Sequence, residues 1–333
     1  MAGYFITLSR HILTHHAATP HGNDLALIAE RIQVVAKRIA HDLSRASLGG
    51  GLGYSGATNI QGEEQKKLDE LTNDIFLEAF EFGQPACSLA SEEMEQVRHW
   101  SENCREHSYC VLYDPLDGSS NTDVNGSLGT IFSIRRRADQ HDSAIDDLLR
   151  PGTEQVAAGY VLYGPSTQLV FTAGDGVDIF TLDRGLGEFV LWREDVRMPQ
   201  RGSTYAVNQG NSTKWHPGAR KFIEHITSRK DKTTSYSLRY CGAFVADFHR
   251  LLLEGGIYLY PGEVSQDGKS SGKLRLMYET APLAMIAEQA GGRASTGKGP
   301  LLEVVPTAIH VREPVYIGSK AEVALAEEMK VEG

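Results

Sequence analysis

Asp114-Pro115-Leu116-Asp117-Gly118-Ser119-Ser120-Asn121 follows directly on Tyr109-Cys110-Val111-Leu112-Tyr113. The first five residues are β-branched, aromatic and apolar, which reads as a buried strand, and Asp114 is expected where that strand ends. Strand ends in α/β sheets are where ligands are handled. Proline at 115 fixes its own φ and steers Asp114 away from helical geometry, while Gly118 lets the backbone turn sharply and approach a ligand. The turn therefore offers two carboxylates and then the successive amides of Gly118, Ser119 and Ser120. Hard divalent cations take carboxylate oxygens, and a row of N–H groups makes an anion-binding concavity. A surface turn uses the same residue types. The full run of eight behind an apolar strand favours a turn shared by metal and phosphate.

The whole chain frames that reading. Its 333 residues suggest two domains, and 41% hydrophobic with 23% charged residues is ordinary for a soluble globular protein. The net charge of −10 argues against nucleic acid or an anionic membrane as partner, and the acids leave a phosphate substrate in need of cations. Neither a membrane span nor a secretory signal is read, so the chain is expected in the cytoplasm. Cys87, Cys104, Cys110 and Cys241 form no C-x-x-C pair and are expected to be reduced thiols. No histidine is given a metal role. An oxygen-rich set of acids favours Mg²⁺, or Mn²⁺, over zinc. Neither Ser119 nor Ser120 lies in a G-x-S-x-G elbow, so a serine nucleophile is not supported.

Along the chain, Leu25, Ile28, Ile32, Val35, Ile39 and Leu43 recur every three or four residues, an amphipathic helix with Asn23 as its N-cap. A second helix is expected from Glu63 to Phe82, and a short strand over Cys87–Ser91, followed by the paired acids Glu92 and Glu93. Side chains alternate along extended chain, so those two acids can face different partners. Beyond the loop, strands at 129–134, 156–163, 168–172, 177–182 and 187–192 make a meander, with Asp175-Gly176 as a hairpin signal. The change from acids to basic residues near Val196 places a domain boundary between 1–196 and 197–333. In the second half, strands end on Asn208, on Arg239-Tyr240 and on Tyr260. Lys273 opens a further run, Leu274–Tyr278, that Glu279 closes. Phenol and ammonium donors at strand ends suit a phosphate monoester. Ser319-Lys320-Ala321-Glu322 reads as a capping box that starts the last helix.

D-P-L-D-G-S-S-N resembles the metal-phosphate loop of the class I fructose-1,6-bisphosphatases, within the lithium-sensitive sugar and inositol phosphatase superfamily, and the resemblance runs from about Thr7 to Ser319. It implies an α/β (α+β) fold built as a five-layer α/β/α/β/α sandwich. The implied activity is Mg²⁺-dependent removal of the 1-phosphate of fructose 1,6-bisphosphate, in gluconeogenesis or the Calvin cycle. It also implies two or three metals held by Glu92, Asp114, Asp117, Glu279, the Leu116 carbonyl and Glu63, the last standing where the family has aspartate. Glu93 and Asp69 are implied as the water-activating acids. Gly118, Ser119 and Ser120 would hold the 1-phosphate, with Asn208, Tyr240, Tyr260 and Lys273 around the sugar and its 6-phosphate. Arg239 would serve the neighbouring subunit's site in a homotetramer.

Two departures from the family pattern follow. A phosphate-binding tyrosine falls on Asn211, which weakens the expected 6-phosphate grip. The family's AMP turn, Thr-Gly-Glu-Leu-Thr, reads Gly22-Asn23-Asp24-Leu25-Ala26 here, and its Lys-Tyr pair reads Ser108-Tyr109. Sedoheptulose-1,7-bisphosphate or an inositol phosphate remains as a rival substrate. A non-catalytic sugar-phosphate sensor is disfavoured, because every acid the chemistry needs is present.

Overall fold

The computed structural model describes residues 5–16, 22–58, 64–81, 85–100, 108–137, 145–228, 236–264 and 270–333. Three helices open the chain, α1 (Leu8–His16), α2 (Gly22–Leu43) and the short α3 (Ala46–Gly49). A small hairpin, β1 (Tyr54–Thr58) with β2 (Glu64–Lys66), leads into α4 (Lys67–Glu81). Then come β3 (Ser88–Ser91), β4 (Arg98–His99), β5 (Tyr109–Asp117), β6 (Leu128–Arg136), β7 (Gln155–Tyr163), β8 (Thr167–Thr172), β9 (Asp178–Asp183) and β10 (Glu188–Arg193). These eight form one sheet in the order β10-β9-β8-β7-β6-β5-β3-β4, in which only β3 and β5 run parallel.

The second half contributes β11 (Thr204–Ala206), α5 (Pro217–Thr227), β12 (Ser237–Leu238), α6 (Phe244–Glu254) and β13 (Ile257–Tyr260), followed by a small ribbon of β14 (Glu263–Val264) and β15 (Ser270–Ser271). It ends with α7 (Ala281–Gln289), β16 (Arg293–Ser295), β17 (Val315–Gly318) and α8 (Lys320–Glu328). Its sheet runs β12-β11-β13-β17-β16.

Three apolar cores stack these elements into five layers. One core joins α1, α2 and α4 to the outer face of the large sheet, through residues such as Ile32, Phe76, Phe132 and Phe180. The middle core packs α6 and α7 between the sheets, where Phe248 and Ala284 meet Tyr160 on one side and Tyr258 and Ile317 on the other. A third lays α5 and α8 over the far face, with Phe222, Val323 and Tyr316. An α/β/α/β/α sandwich results. Each layer buries the apolar face of its neighbour, as a sheet or amphipathic helix requires.

Several local expectations change. The strand does not stop at Asp114. It loses its β3 neighbour after Tyr113 but continues along β6, with the pairing slipping between Asp114↔Ile131 and Asp117↔Gly129. Pro115 cannot donate to a ladder, so the motif forms a bulge that turns both aspartates out of register. The second helix begins at Lys67 instead of Glu63, because Glu64–Lys66 pairs with β1 and Asp69 Oδ2 then accepts the Lys66 amide. Asn23 lies inside α2. The 274–278 run is not a strand. Leu276–Thr280 is a π-helical turn leading into α7, since a short buried apolar run has no periodicity that separates strand from helix.

The capping box is also absent. The Ser319 hydroxyl accepts the Gly256 amide and Glu322 Oε1 accepts the Tyr236 phenol, so both side chains serve tertiary contacts. Of the cysteines expected to be reduced, Cys110 and Cys241 are free, whereas Cys87 is disulfide-bonded. Sequence spacing does not report such a through-space approach. Among the described residues no helix is long and apolar enough to cross a membrane.

Candidate active site

The bulge of β5, the end of β3, the start of α4 and the π-helical turn meet at a cleft of about 230 Å³. It brings together Asp69, Glu92, Glu93, Asp114, Leu116, Asp117, Gly118, Ser119, Ser120, Lys273 and Glu279. Glu63 lies outside the described residues. Oxygen atoms of Glu92, Asp114 and Glu279 all lie within 4.8 Å of one another, and all three side chains are buried.

Each acid is fixed by its own local structure. The bulge bends Asp114 back so that Oδ1 accepts the Leu116 amide at 3.0 Å. Asp117 accepts two amides from the first turn of α6, Phe244 at 3.1 Å and Val245 at 2.7 Å. Helix N-termini carry partial positive charge and unpaired N–H groups, so a carboxylate is favoured there. Gly118 follows with φ +77°, and a Cβ there would come within 2.5 Å of the Ala243 side chain. The π-helical turn carries Glu279, whose Oε2 accepts the Arg275 amide.

Arg275 is the group that motif reasoning passes over. It is buried, and its Nη1 lies 2.6 Å from Glu92 Oε1 and 4.0 Å from Glu279 Oε2. A cation among buried acids is the expected companion of so much like charge. The signal for it in the sequence is an arginine within an otherwise apolar run.

Electrostatics set the acids apart from ordinary surface carboxylates. Burial, and then the charge of Glu279, hold the Glu92 carboxyl well above its usual range. Burial and then the charge of Glu92 do the same to Asp114. Burial lifts Asp117 to about 7 even though the two α6 amides oppose the rise. Asp69 is pushed up to about 6, again by burial first, with the Lys66 amide opposing and the Glu93 charge adding. Glu92 Oε2 is buried with no hydrogen-bond partner. An orphaned carboxylate oxygen inside a cluster of buried acids fits a divalent cation with oxygen ligands.

The opposite wall comes from the second sheet. β12, β11 and β13 lie side by side and parallel, so their C-terminal ends share one edge. That edge carries Asn208, Arg239, Tyr240 and Tyr260. Tyr240 is partly buried near Tyr260, Asp247 and Asp117, and burial first of all holds its phenol above the ordinary range. Asn211 Nδ2 donates to the Tyr260 hydroxyl at 3.4 Å, so the amide that replaces the family tyrosine still reaches this group. Arg239 is exposed, and its Nη1 donates to the Leu238 carbonyl at 2.9 Å.

Comparison with known proteins bears on this geometry. The model of the fructose-1,6-bisphosphatase N-terminal domain matches residues 6–194, and that of the C-terminal domain matches residues 198–331. The chain belongs to the fructose-1,6-bisphosphatase family. It is 49% identical to the class 1 fructose-1,6-bisphosphatase of Trichormus variabilis over 324 residues, covering 96% of this chain and 91% of that protein. The class 1 enzyme of Thermosynechococcus vestitus is 48% identical over 325 residues, which is 97% of this chain and 91% of that one. The crystal structure of Leishmania major fructose-1,6-bisphosphatase in holo form superposes with a TM-score of 0.90 at 40% identity, covering 98% of this chain and 99% of that one. The protein is a phosphatase, and its family implies a divalent-metal requirement.

The raised carboxyl pKa values have a consequence for stability. A carboxyl that titrates higher in the folded state than in the unfolded chain binds protons more tightly when folded, so stability falls as pH rises between the two values. For Asp69 and Asp117 that window runs from the ordinary value of 3.8 up to about 6 and about 7. Chelator-treated protein is therefore expected to melt at a lower temperature at pH 8 than at pH 6. Mg²⁺ should reverse the loss at pH 8, by about 2.7 kcal/mol at one hundred times its Kd. Calorimetric melting with and without Mg²⁺ checks this, and an unchanged melting temperature across the four combinations would remove the cluster's electrostatic penalty.

Proposed function

We propose that the protein hydrolyses the 1-phosphate of fructose 1,6-bisphosphate, with Mg²⁺ held by Glu92, Asp114, Asp117, Glu279, the Leu116 carbonyl and Glu63. The observation that carries this reading is the convergence of Glu92, Asp114 and Glu279 oxygens beside the Gly118-Ser119-Ser120 amides. Bound divalent cations would supply charge neutralisation for the phosphate and acidify a water. The residues of the chain do the rest. Amides of the loop after Gly118 hold the phosphate oxygens, with the Lys273 ammonium at the same cleft. Glu93 and Asp69 accept the proton of the attacking water. A base titrating near 6, as Asp69 does, is ionised at neutral pH yet still basic enough to take a proton. Asn208, Tyr240, Tyr260 and Asn211 line the edge where the sugar and its second phosphate fit, and selection against mono-phosphates would arise there.

Glu93→Gln keeps size and a polar head but removes the proton acceptor. A fall in kcat of about 10²- to 10⁴-fold with Mg²⁺ binding retained is expected. Phosphate release should be fastest from fructose 1,6-bisphosphate in a panel with sedoheptulose 1,7-bisphosphate and an inositol monophosphate. Equal rates on all three would defeat the substrate assignment, and a variant within about threefold of the parent would defeat the base assignment.

The quaternary arrangement is part of the proposal. Arg239 stands exposed beside Tyr240, as a cation given to a neighbouring subunit's phosphate would. A homotetramer is expected, and Arg239→Ala should raise KM far more than it lowers kcat. Light scattering that finds a fully active monomer near 36.5 kDa would overturn this part of the reading.

AMP is expected to be a weak effector. The turn Gly22–Ala26 lacks two hydroxyls and Ser108 replaces an ammonium, while Tyr109 keeps its place beside Arg136, whose guanidinium carbon lies 5.7 Å from the ring centre. A hydrogen bond to a charged group is worth about 1.5–3 kcal/mol, so loss of the lysine alone weakens AMP by roughly 10- to 150-fold. Titrating activity with AMP at saturating Mg²⁺ checks this, and half-inhibition at micromolar AMP would contradict it.

A further inference from the structure

Far from the cleft, on the outer face of the large sheet, α1 places His11 and His15 one turn apart in the stretch His11-Ile12-Leu13-Thr14-His15. Their rings stack with centroids 4.4 Å apart. Glu194, just after β10, brings a carboxylate to the same place, and ligand atoms of all three residues lie within 4.8 Å of one another. His11 is buried, and its Nε2 lies 2.8 Å from Asp178 Oδ2 on β9. The second Asp178 oxygen accepts the Asp195 amide at 2.8 Å, which fixes the carboxylate.

A histidine held through one ring nitrogen by an anchored carboxylate keeps the other nitrogen for a metal, and this arrangement recurs around metal-ligating histidines. Two imidazoles and one carboxylate are a donor set for Zn²⁺, Co²⁺ or Ni²⁺ and a poor one for Mg²⁺. Tetrahedral zinc with bonds near 2.1 Å needs ligand atoms about 3.4 Å apart. His15 and Glu194 are exposed and can rotate to close the remaining gap.

We propose that His11, His15 and Glu194 form a second metal site, specific for an imidazole-binding divalent transition ion, with Asp178 orienting His11 and the fourth position open to water. The site ties α1 to the segment after β10. Just ahead of α1, the chain is held to β10 itself by the Thr7↔Val190 bridge and by the Leu191 amide, which donates to the Ile6 carbonyl at 2.8 Å. An ion at this place clamps the N-terminal helix to the sheet without touching the catalytic acids. The two sites divide their ions by ligand chemistry, oxygen at the cleft and nitrogen at the helix. The proposal does not rest on the substrate assigned above.

The test uses the full chain, stripped with chelator and then titrated with Zn²⁺ in equilibrium dialysis under excess Mg²⁺. The wild type is expected to bind one Zn²⁺ per chain more than His15→Ala, and also one more than Glu194→Ala. Both changes are at exposed positions, and circular dichroism confirms that the variants are folded. Asp178→Asn should keep the stoichiometry but weaken that extra ion by about 10- to 100-fold, the usual loss when the carboxylate behind a ligating histidine is removed. Equal Zn²⁺ uptake by wild type and His15→Ala would overturn the proposal and leave His11–Asp178 as a structural ion pair.

Discussion

Both oxygens of the Asp117 carboxylate are occupied by the first amides of α6, and the rest of the site depends on that junction. Asp117 belongs to the loop of the large sheet, whereas α6 is the helix that fills the middle layer and carries the second sheet on its other side. One carboxylate thus fixes the distance between the acid cluster and the edge bearing Tyr240 and Tyr260. The approach is close throughout. A Cβ on Gly129, opposite Asp117 on β6, would come within 2.6 Å of Val245 Cβ, so only a residue without a side chain lets α6 lie near enough to donate.

What the fold holds together there is electrostatically unfavourable by itself. Glu92, Asp114, Asp117 and Glu279 lie buried among like charges, and one buried arginine, Arg275, is set directly against them. Such a cluster survives because the apolar cores around it are large, and because its members are tied to the backbone at Leu116, Phe244, Val245 and Arg275. Burial and like charge both work against the ionised acids at this point, the kind of destabilised arrangement that proteins keep where activity needs it.

Much of this was legible in the residues. The octapeptide at 114–121 marks the place where the acids gather, because proline and glycine restrict the backbone and the aspartates bring carboxylates in a way that survives any fold. The meander of β6 to β10 follows from alternation and turn residues, and the outer helix α2 from its apolar stripe. The misreadings share a different cause. Ser319 and Glu322 form a capping pattern, yet tertiary partners claim both side chains. Glu64–Lys66 has helical propensity, yet a hairpin partner claims its backbone. Arg275 has no motif, since its role is defined by acids that are distant in sequence. His11 and His15 stand four apart in plain view, but only the fold shows the carboxylates of Asp178 and Glu194 beside them.

The π-helical turn ahead of α7 has a geometric meaning of its own. Its closing bond runs from the Thr280 amide to the Arg275 carbonyl, five residues back, so the turn holds one residue more than an α-helical turn. Side chains before and after such an insertion are out of phase by about 100°, the angle that one residue subtends in an α-helix. That phase slip lets a single continuous segment point Arg275 and Glu279 into the cleft while Leu283, Ala284 and Ala287 point into the middle core. A regular helix through the same residues would serve one of those two faces and lose the other. The extra residue works as a gear tooth between the chemistry and the packing, and it makes chain length in this segment as strict a requirement as residue identity.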